Sequence, residues 1–332
     1  MPSPDLLITG ATGFIGFKVL LRALEQGYTV RAAVRSAEKA KTLSSHPKIT
    51  ATGNADKLSF VEVPDITRDG AYDEAIRDIG HVIHLAAPLL WPSNDPQTGI
   101  YEPTIRNMST LLASASKEPS VKKLVITSSI AGNMTLAPDP SQEITAETRI
   151  PDLPGPFDSS ASAYNAAKVG ALNYLDRFMA EKKPSFALAI VLPGLLFGRD
   201  ERALHVKELY AGTNVFLLRA ITGQPAYYPV PDGIAHVDDA VKVLLAVLKD
   251  GVVGNFGVTK VHSVNEAWAV ITKHFPQAVA RGTFTRGTYE AVPANWNAHQ
   301  TEIDLGFNFQ AFDDIVIDVA NQYLELSGLE KA

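Results

Sequence analysis

The chain has 332 residues, 46% of them hydrophobic and 20% charged, with a formal net charge of −6. That length suits one large α/β domain or a domain with an appended lobe, and the acidic balance argues against a nucleic-acid partner. The complete lack of cysteine excludes disulfides, thiolate metal sites and cysteine nucleophiles. The histidines show no ligand-like spacing with acids, so no metal is expected. No apolar run approaches the roughly 20 residues that span a bilayer. The first strand pattern opens at Leu6, too early for a signal peptide. A cytoplasmic protein with no membrane partner is the expectation.

In chain order, strands are expected at Leu6–Thr9, Thr29–Val34, Leu58–Glu62, His81–Leu85, Lys123–Thr127 and Ala187–Val191. Helical patterns fall between them at Ile15–Gln26, Ala37–Leu43, Tyr72–Ile79, Pro103–Ser116 and Ala163–Lys182. Short β-branched runs alternating with helices predict a parallel sheet built from βαβ units. After Pro193 the spacing predicts a helix over Lys207–Ala220, a helix over His236–Lys249 and a strand over Val252–Val258. Two further helices, Val264–Phe275 and Phe312–Ser327, flank a loop rich in Pro and Asn. This organisation implies a dinucleotide-binding domain over 1–193, to which 236–258 returns. A smaller C-terminal substrate lobe is expected from 194–235 and 259–332.

Thr9-Gly-Ala-Thr-Gly-Phe-Ile-Gly16 lies directly between the first strand and the first helix. Gly10, Gly13 and Gly16 permit a tight turn, close approach to a pyrophosphate and close helix–sheet packing. Thr12, Phe14 and Ile15 complete the loop, and the helix N-terminus offers N–H groups and a positive dipole end to the phosphates. The fold class expected is therefore an α/β, Rossmann-type doubly wound parallel sheet. The second strand ends Ala33-Val-Arg35-Ser36, without the acid that would bind a ribose 2′-hydroxyl. Arg35 and Lys39 read either as partners of a 2′-phosphate, favouring NADP(H), or as solvated loop cations. Asp65 reads equally as an adenine contact or a turn residue. Ala86 and Ala87 are small enough for backbone to pass near a cofactor, or for core packing.

The fifth strand ends Thr127-Ser128-Ser129, where an open α/β sheet lines its ligand crevice. Tyr164 and Lys168 lie four residues apart and share a helix face. An ammonium beside the phenol favours phenolate and lowers the tyrosine pKa from about 10, which suits a general acid. Lys168 also suits the nicotinamide ribose hydroxyls.

With these pieces assembled, the chain resembles an extended short-chain dehydrogenase/reductase. The nearest branch is that of dihydroflavonol reductases and microbial carbonyl (aldehyde) reductases. The resemblance rests on the glycine loop, Val30-Arg-Ala-Ala-Val-Arg35, His84-Leu-Ala-Ala-Pro88, Val125-Ile-Thr-Ser-Ser129 and Tyr164-Asn-Ala-Ala-Lys168. Val191-Leu-Pro193 with Gly198, His236-Val-Asp-Asp239 and Asp304-Leu-Gly-Phe307 extend it over nearly the whole chain. It implies Ser129 as the catalytic serine, Tyr164 as proton donor and Lys168 as its partner. It also implies Pro193 against the nicotinamide and Arg35 on the 2′-phosphate.

The implied activity is NADPH-dependent reduction of a small-molecule carbonyl substrate, with no nucleic acid and no membrane involved, by a monomer or homodimer. Leu89–Ile100, Ile130–Ser160 and Gly194–Pro231 are expected to wall the substrate. Trp91, Met134, Phe157, Leu195, Phe216, Tyr227 and Tyr228 in these stretches suit a bulky neutral ketone or aldehyde. Ile130-Ala-Gly-Asn-Met134 departs from the flavonoid enzymes' Ala-Gly-Thr pattern, so a flavonoid substrate is not supported. Two other readings are an NAD-dependent sugar-nucleotide epimerase/dehydratase and a non-catalytic NADP(H)-sensing protein. Arg35 and the apolar loops argue against the first, and the retained Tyr164 and Lys168 against the second.

Overall fold

In the computed structural model, which describes residues 5–86, 93–225 and 229–329, the first two thirds of the chain alternate strands and helices. The strands are Leu6–Thr9 (β1), Val30–Val34 (β2), Leu58–Glu62 (β3), His81–His84 (β4), Lys123–Thr127 (β5), Ala187–Pro193 (β6) and Gly254–Val258 (β7). Their order across the sheet is β7-β6-β5-β4-β1-β2-β3, and β1 through β6 pair in parallel. β1 is buried at every position. A strand covered on both faces has no solvent side, so its sequence is an apolar run and not an alternation. The expected class, a doubly wound Rossmann-type sheet, is what the chain forms.

Four helices bear on the site: Phe14–Glu25 (α1), Ala37–Ser44 (α2), Glu102–Lys117 (α3) and Ser160–Lys182 (α4). α4 begins three residues earlier than the apolar pattern predicts. The reason is a reciprocal cap, in which Ser159 Oγ accepts from Ser162 N–H and Ser162 Oγ accepts from Ser159 N–H. The helix expected over Tyr72–Ile79 is a single turn, Asp73–Ile76. Arg77, at ψ 126°, leaves the helical region, and Asp78 follows in the left-handed region at φ 60°.

The chain divides into two compact units. One takes Met1–Leu136, Glu147–Leu192 and Val241–Phe256, and the other Ala137–Ala146, Pro193–Ala240 and Gly257–Ala332. In the second unit the helix expected over Lys207–Ala220 splits into a 3₁₀ segment, Val206–Ala211, and a helix, Asn214–Ile221. Asn214 begins that helix with its side chain bonded to both backbone groups of Gly198. The Pro/Asn-rich stretch contains short helices at Pro276–Ala280 and His299–Leu305. The second unit has its own apolar core, with Phe197, Leu217, Ile271, Phe284 and Val316 all buried. Among the described residues, no helix is long and apolar enough to cross a membrane, and no group of three His, Asp or Glu could hold a metal.

Candidate active site

Strand register builds the site. Thr9 pairs with Ala33 and His84, His84 with Ile126, and Thr127 with Val191. The parallel strands therefore end level with one another. Gly10, Arg35, Ala86, Ser128 and Ser129 follow these strands at one carboxyl edge, where open α/β sheets bind ligands, and Pro193 is the last residue of β6. β1 and β4, between which the chain changes direction across the sheet, meet at the glycine turn.

Gly10 has φ +74°, and a Cβ there would lie 2.9 Å from the Leu85 carbonyl carbon. Gly13 N–H donates to Gly10 O at 2.9 Å, and a Cβ on Gly16 would collide with that same oxygen. Gly13 is the N-cap of α1, which has no side-chain cap and no acid in its first turn. Thr12, Phe14 and Ile15 complete this turn. A helix start of this kind presents backbone donors and a positive dipole end toward an anion. Arg35 and Lys39 are exposed beyond β2, and neither side chain has an ion-pair partner among the described residues. Ser36 Oγ is occupied in capping α2, accepting from Lys39 N–H. Asp65 is exposed, and its Oδ1 accepts from both the N–H and the hydroxyl of Thr67. Those bonds hold its carboxyl below the usual carboxylate range.

Beneath the glycine turn lies a buried polar chain that no motif announces. Tyr72 OH donates to Asn107 Oδ1 at 2.6 Å, and Asn107 Nδ2 donates to Ala86 O at 2.8 Å and lies 3.1 Å from His84 Nε2. His84 Nδ1 lies 2.8 Å from Thr9 Oγ1, which also accepts from the Ala86 N–H. Burial first, then the nearby Lys168 charge, lowers the His84 pKa to about 3. Burial alone raises that of the Tyr72 phenol.

Ser129 starts the 3₁₀ turn Ile130–Asn133, and its Oγ accepts from Ala131 N–H at 3.2 Å. That turn is clamped to α4. Asn165 Nδ2 donates to Ala131 O at 2.6 Å and to Met134 O at 2.8 Å. Gly132 packs so closely that a Cβ would lie 3.1 Å from Lys168 O. Asn165 and Gly132 thus join the Ser129 turn to the helix turn that carries Tyr164 and Lys168. Tyr164 is partly exposed and Lys168 is buried, with Nζ 5.4 Å from the Tyr164 ring centroid. At the end of β5, Thr127 Oγ1 and Ser128 Oγ are buried without a hydrogen-bond partner among the described residues.

Of the expected substrate wall, Met134 is buried and Phe157 stands 5.0 Å from the Tyr101 ring, centroid to centroid. Both rings border an open cleft of about 520 Å³ with Gln97, Pro154 and Pro156. Phe216 belongs to the core of the second unit and Leu195 packs against that core, so packing explains both. Ala87, Trp91, Tyr227 and Tyr228 lie outside the described residues.

Residues 6–258 match the model of the NAD dependent epimerase/dehydratase family. The chain is 30% identical over 339 residues to the ketoreductase CTB6 of Cercospora nicotianae, covering 97% of this chain and 95% of that protein. It is 30% identical over 347 residues to the ketoreductase sphI of Aspergillus fumigatus, covering 99% and 100%. The yeast methylglyoxal/isovaleraldehyde reductase Gre2, solved in complex with NADPH, superposes with a TM-score of 0.81 at 24% identity, covering 97% of this chain and 99% of that one. With residues 6–258, about three quarters of its length, matched, the chain belongs to the NAD dependent epimerase/dehydratase family, that is, to the extended short-chain dehydrogenases/reductases.

Proposed function

We propose that the protein is an NADPH-dependent carbonyl reductase that converts a bulky, neutral ketone or aldehyde into an alcohol. The observation that carries this reading is the clamp between the Ser129 turn and the Tyr164–Lys168 helix face. It holds two hydroxyls and one ammonium at the carboxyl edge of the sheet. The names of the two fungal relatives, both ketoreductases, support the reaction class. The NADPH held by the yeast fold neighbour supports the cofactor.

The residues present fit a nicotinamide dinucleotide. The uncapped α1 start with Gly10, Thr12, Gly13, Phe14, Ile15 and Gly16 suits its pyrophosphate, and the unpaired Arg35 and Lys39 suit a 2′-phosphate. Asp65 would serve the adenine, with Ala86 and Pro193 lining the dinucleotide. Residues 1–193 with 236–258 are assigned to the cofactor, and 194–235 with 259–332 to the substrate.

When bound, NADPH supplies the hydride. Ser129 Oγ already accepts from Ala131 N–H, which leaves its own proton to donate to the substrate oxygen. Tyr164 donates to the same oxygen and surrenders its proton as that oxygen becomes an alkoxide. Lys168 stabilises the phenolate left on Tyr164 and holds the ribose hydroxyls. Donors aimed in advance at such an oxygen contribute about 10²–10³ in rate each.

Tyr164→Phe tests the assignment in an assay of NADPH oxidation over a panel of ketones and aldehydes. Turnover should nearly vanish while NADPH binding, read by fluorescence, persists. Near-normal turnover in that variant would remove Tyr164 from the mechanism.

A further inference from the structure

The contacts of Asn107 fix the protons of the Tyr72–Asn107–His84 chain. A carbonyl oxygen only accepts, so Ala86 O requires the Asn107 amide nitrogen to face it. Tyr72 OH then donates to Asn107 Oδ1, and the second amide proton points at His84 Nε2, 3.1 Å away. Nε2 therefore accepts. A neutral imidazole whose Nε2 accepts has its proton on Nδ1, which donates to Thr9 Oγ1. Thr9 and Asn107 bond the two ring nitrogens, and the Tyr72 ring lies edge-on with its centroid 5.8 Å from that of His84. The charged group that bears on the imidazole is the Lys168 ammonium. A proton added at Nε2 would meet the Asn107 N–H head-on and place a second cation near Lys168.

The far ends of the chain explain what the lock accomplishes. Thr9 Oγ1, with two lone pairs, takes the Ala86 N–H beside that of His84, Leu85 N–H donates to the Thr9 carbonyl, and Asn107 Nδ2 donates to the carbonyl of Ala86. Gly10, next to Thr9, packs against that same Leu85–Ala86 backbone. Side chains from β1, β4, α3 and the turn before Asp73 thus fix two backbone segments at one point.

We propose that Tyr72, Asn107 and His84 form a positioning relay for the cofactor, which locks His84 as the uncharged Nδ1–H tautomer and holds the ends of β1 and β4 where the dinucleotide lies. This rests on the cofactor reading above and adds to it three residues that do not touch the cofactor themselves.

Tyr72→Phe removes one hydroxyl and little else. Asn107 Oδ1 then loses its donor, the amide is free to rotate, and His84 becomes able to take a proton at Nε2. NADPH affinity should fall about tenfold at pH 7, the scale of one buried hydrogen bond, and further at pH 5.5. kcat at saturating NADPH should stay within about twofold of wild type, a split that general loss of structure does not give. Nitrogen-15 NMR of the wild-type protein should find His84 protonated at Nδ1 only, unchanged between pH 8 and pH 5. A wild-type His84 protonated at Nε2 in that interval overturns the relay. So does a folded Tyr72→Phe protein whose NADPH affinity matches wild type at both pH values. Wild-type protein that binds no NADPH overturns the cofactor reading instead, and the nitrogen shifts, which need no cofactor, then decide the tautomer lock alone.

Discussion

Asn165→Leu removes two hydrogen bonds while leaving side-chain size nearly unchanged. Asn165 is 2% exposed, so no water replaces the donor that Ala131 O and Met134 O lose. Each buried carbonyl left alone costs about 1–3 kcal/mol, and the added apolar burial offsets part of that. A net loss of about 2–4 kcal/mol is expected, which lowers Tm by roughly 5–10 °C for a unit of this size. The effect on rate follows from Ser129, which heads the released turn. A misplacement worth about 1.4–2.7 kcal/mol in the transition state lowers kcat about 10- to 100-fold. The assay is NADPH oxidation by Asn165→Leu, Ser129→Ala and the double variant, with Tm measured on each. Because Asn165 acts through Ser129, its effect on kcat should shrink to about twofold or less in the Ser129→Ala background, while its effect on Tm persists. If the full rate effect survives there, or if Asn165→Leu alone keeps wild-type kcat, the clamp does not position Ser129.

Arg35→Ala should raise the NADPH dissociation constant about 10- to 100-fold, the scale of a charge-assisted hydrogen-bonded pair, and leave NADH binding unchanged. Equal losses for both cofactors would mean that Arg35 does not meet a 2′-phosphate. His84 predicts an acid slope in stability. Its folded pKa of about 3 lies below the ordinary 6.5, so as pH falls through 6.5 the unfolded chain binds a proton that the folded one refuses. Stability should drop by about 1.4 kcal/mol per pH unit from this group, continuing toward pH 3. Urea midpoints between pH 7 and pH 4 measure it, and His84→Gln should lose that part of the slope. A variant with the wild-type slope would show that His84 is not the group responsible.

The sheet was legible because strands covered on both faces leave unbroken apolar runs such as Leu6-Leu-Ile8. The glycine turn and the Tyr164–Lys168 pair were legible because their spacing is local. What holds these motifs in place is not local. Asn107 and Tyr72 are 35 residues apart in sequence, and His84 and Thr9 are 75 apart. A single polar residue on a helix announces no partner at such range. Asn165 stood in plain view between Tyr164 and Lys168, but only the packing of the Ser129 turn on α4 gives its amide something to grip. Asp78 shows the converse. With Arg77 at ψ 126° before it, its left-handed backbone lies beyond a helix that the side-chain pattern would have prolonged to Ile79.

The first strand made is an interior strand of the sheet, with β2 on one edge and β4 on the other. β1 can pair with β2 after about thirty residues, yet its other edge has to wait for β4, and Thr9 for His84. Asn107, which completes the buried chain, arrives later still. A nascent chain stopped after β3 would therefore contain every glycine of the cofactor turn and lack the backbone against which Gly10 is shaped. During synthesis, nucleotide affinity should not appear before the segment through α3 has emerged.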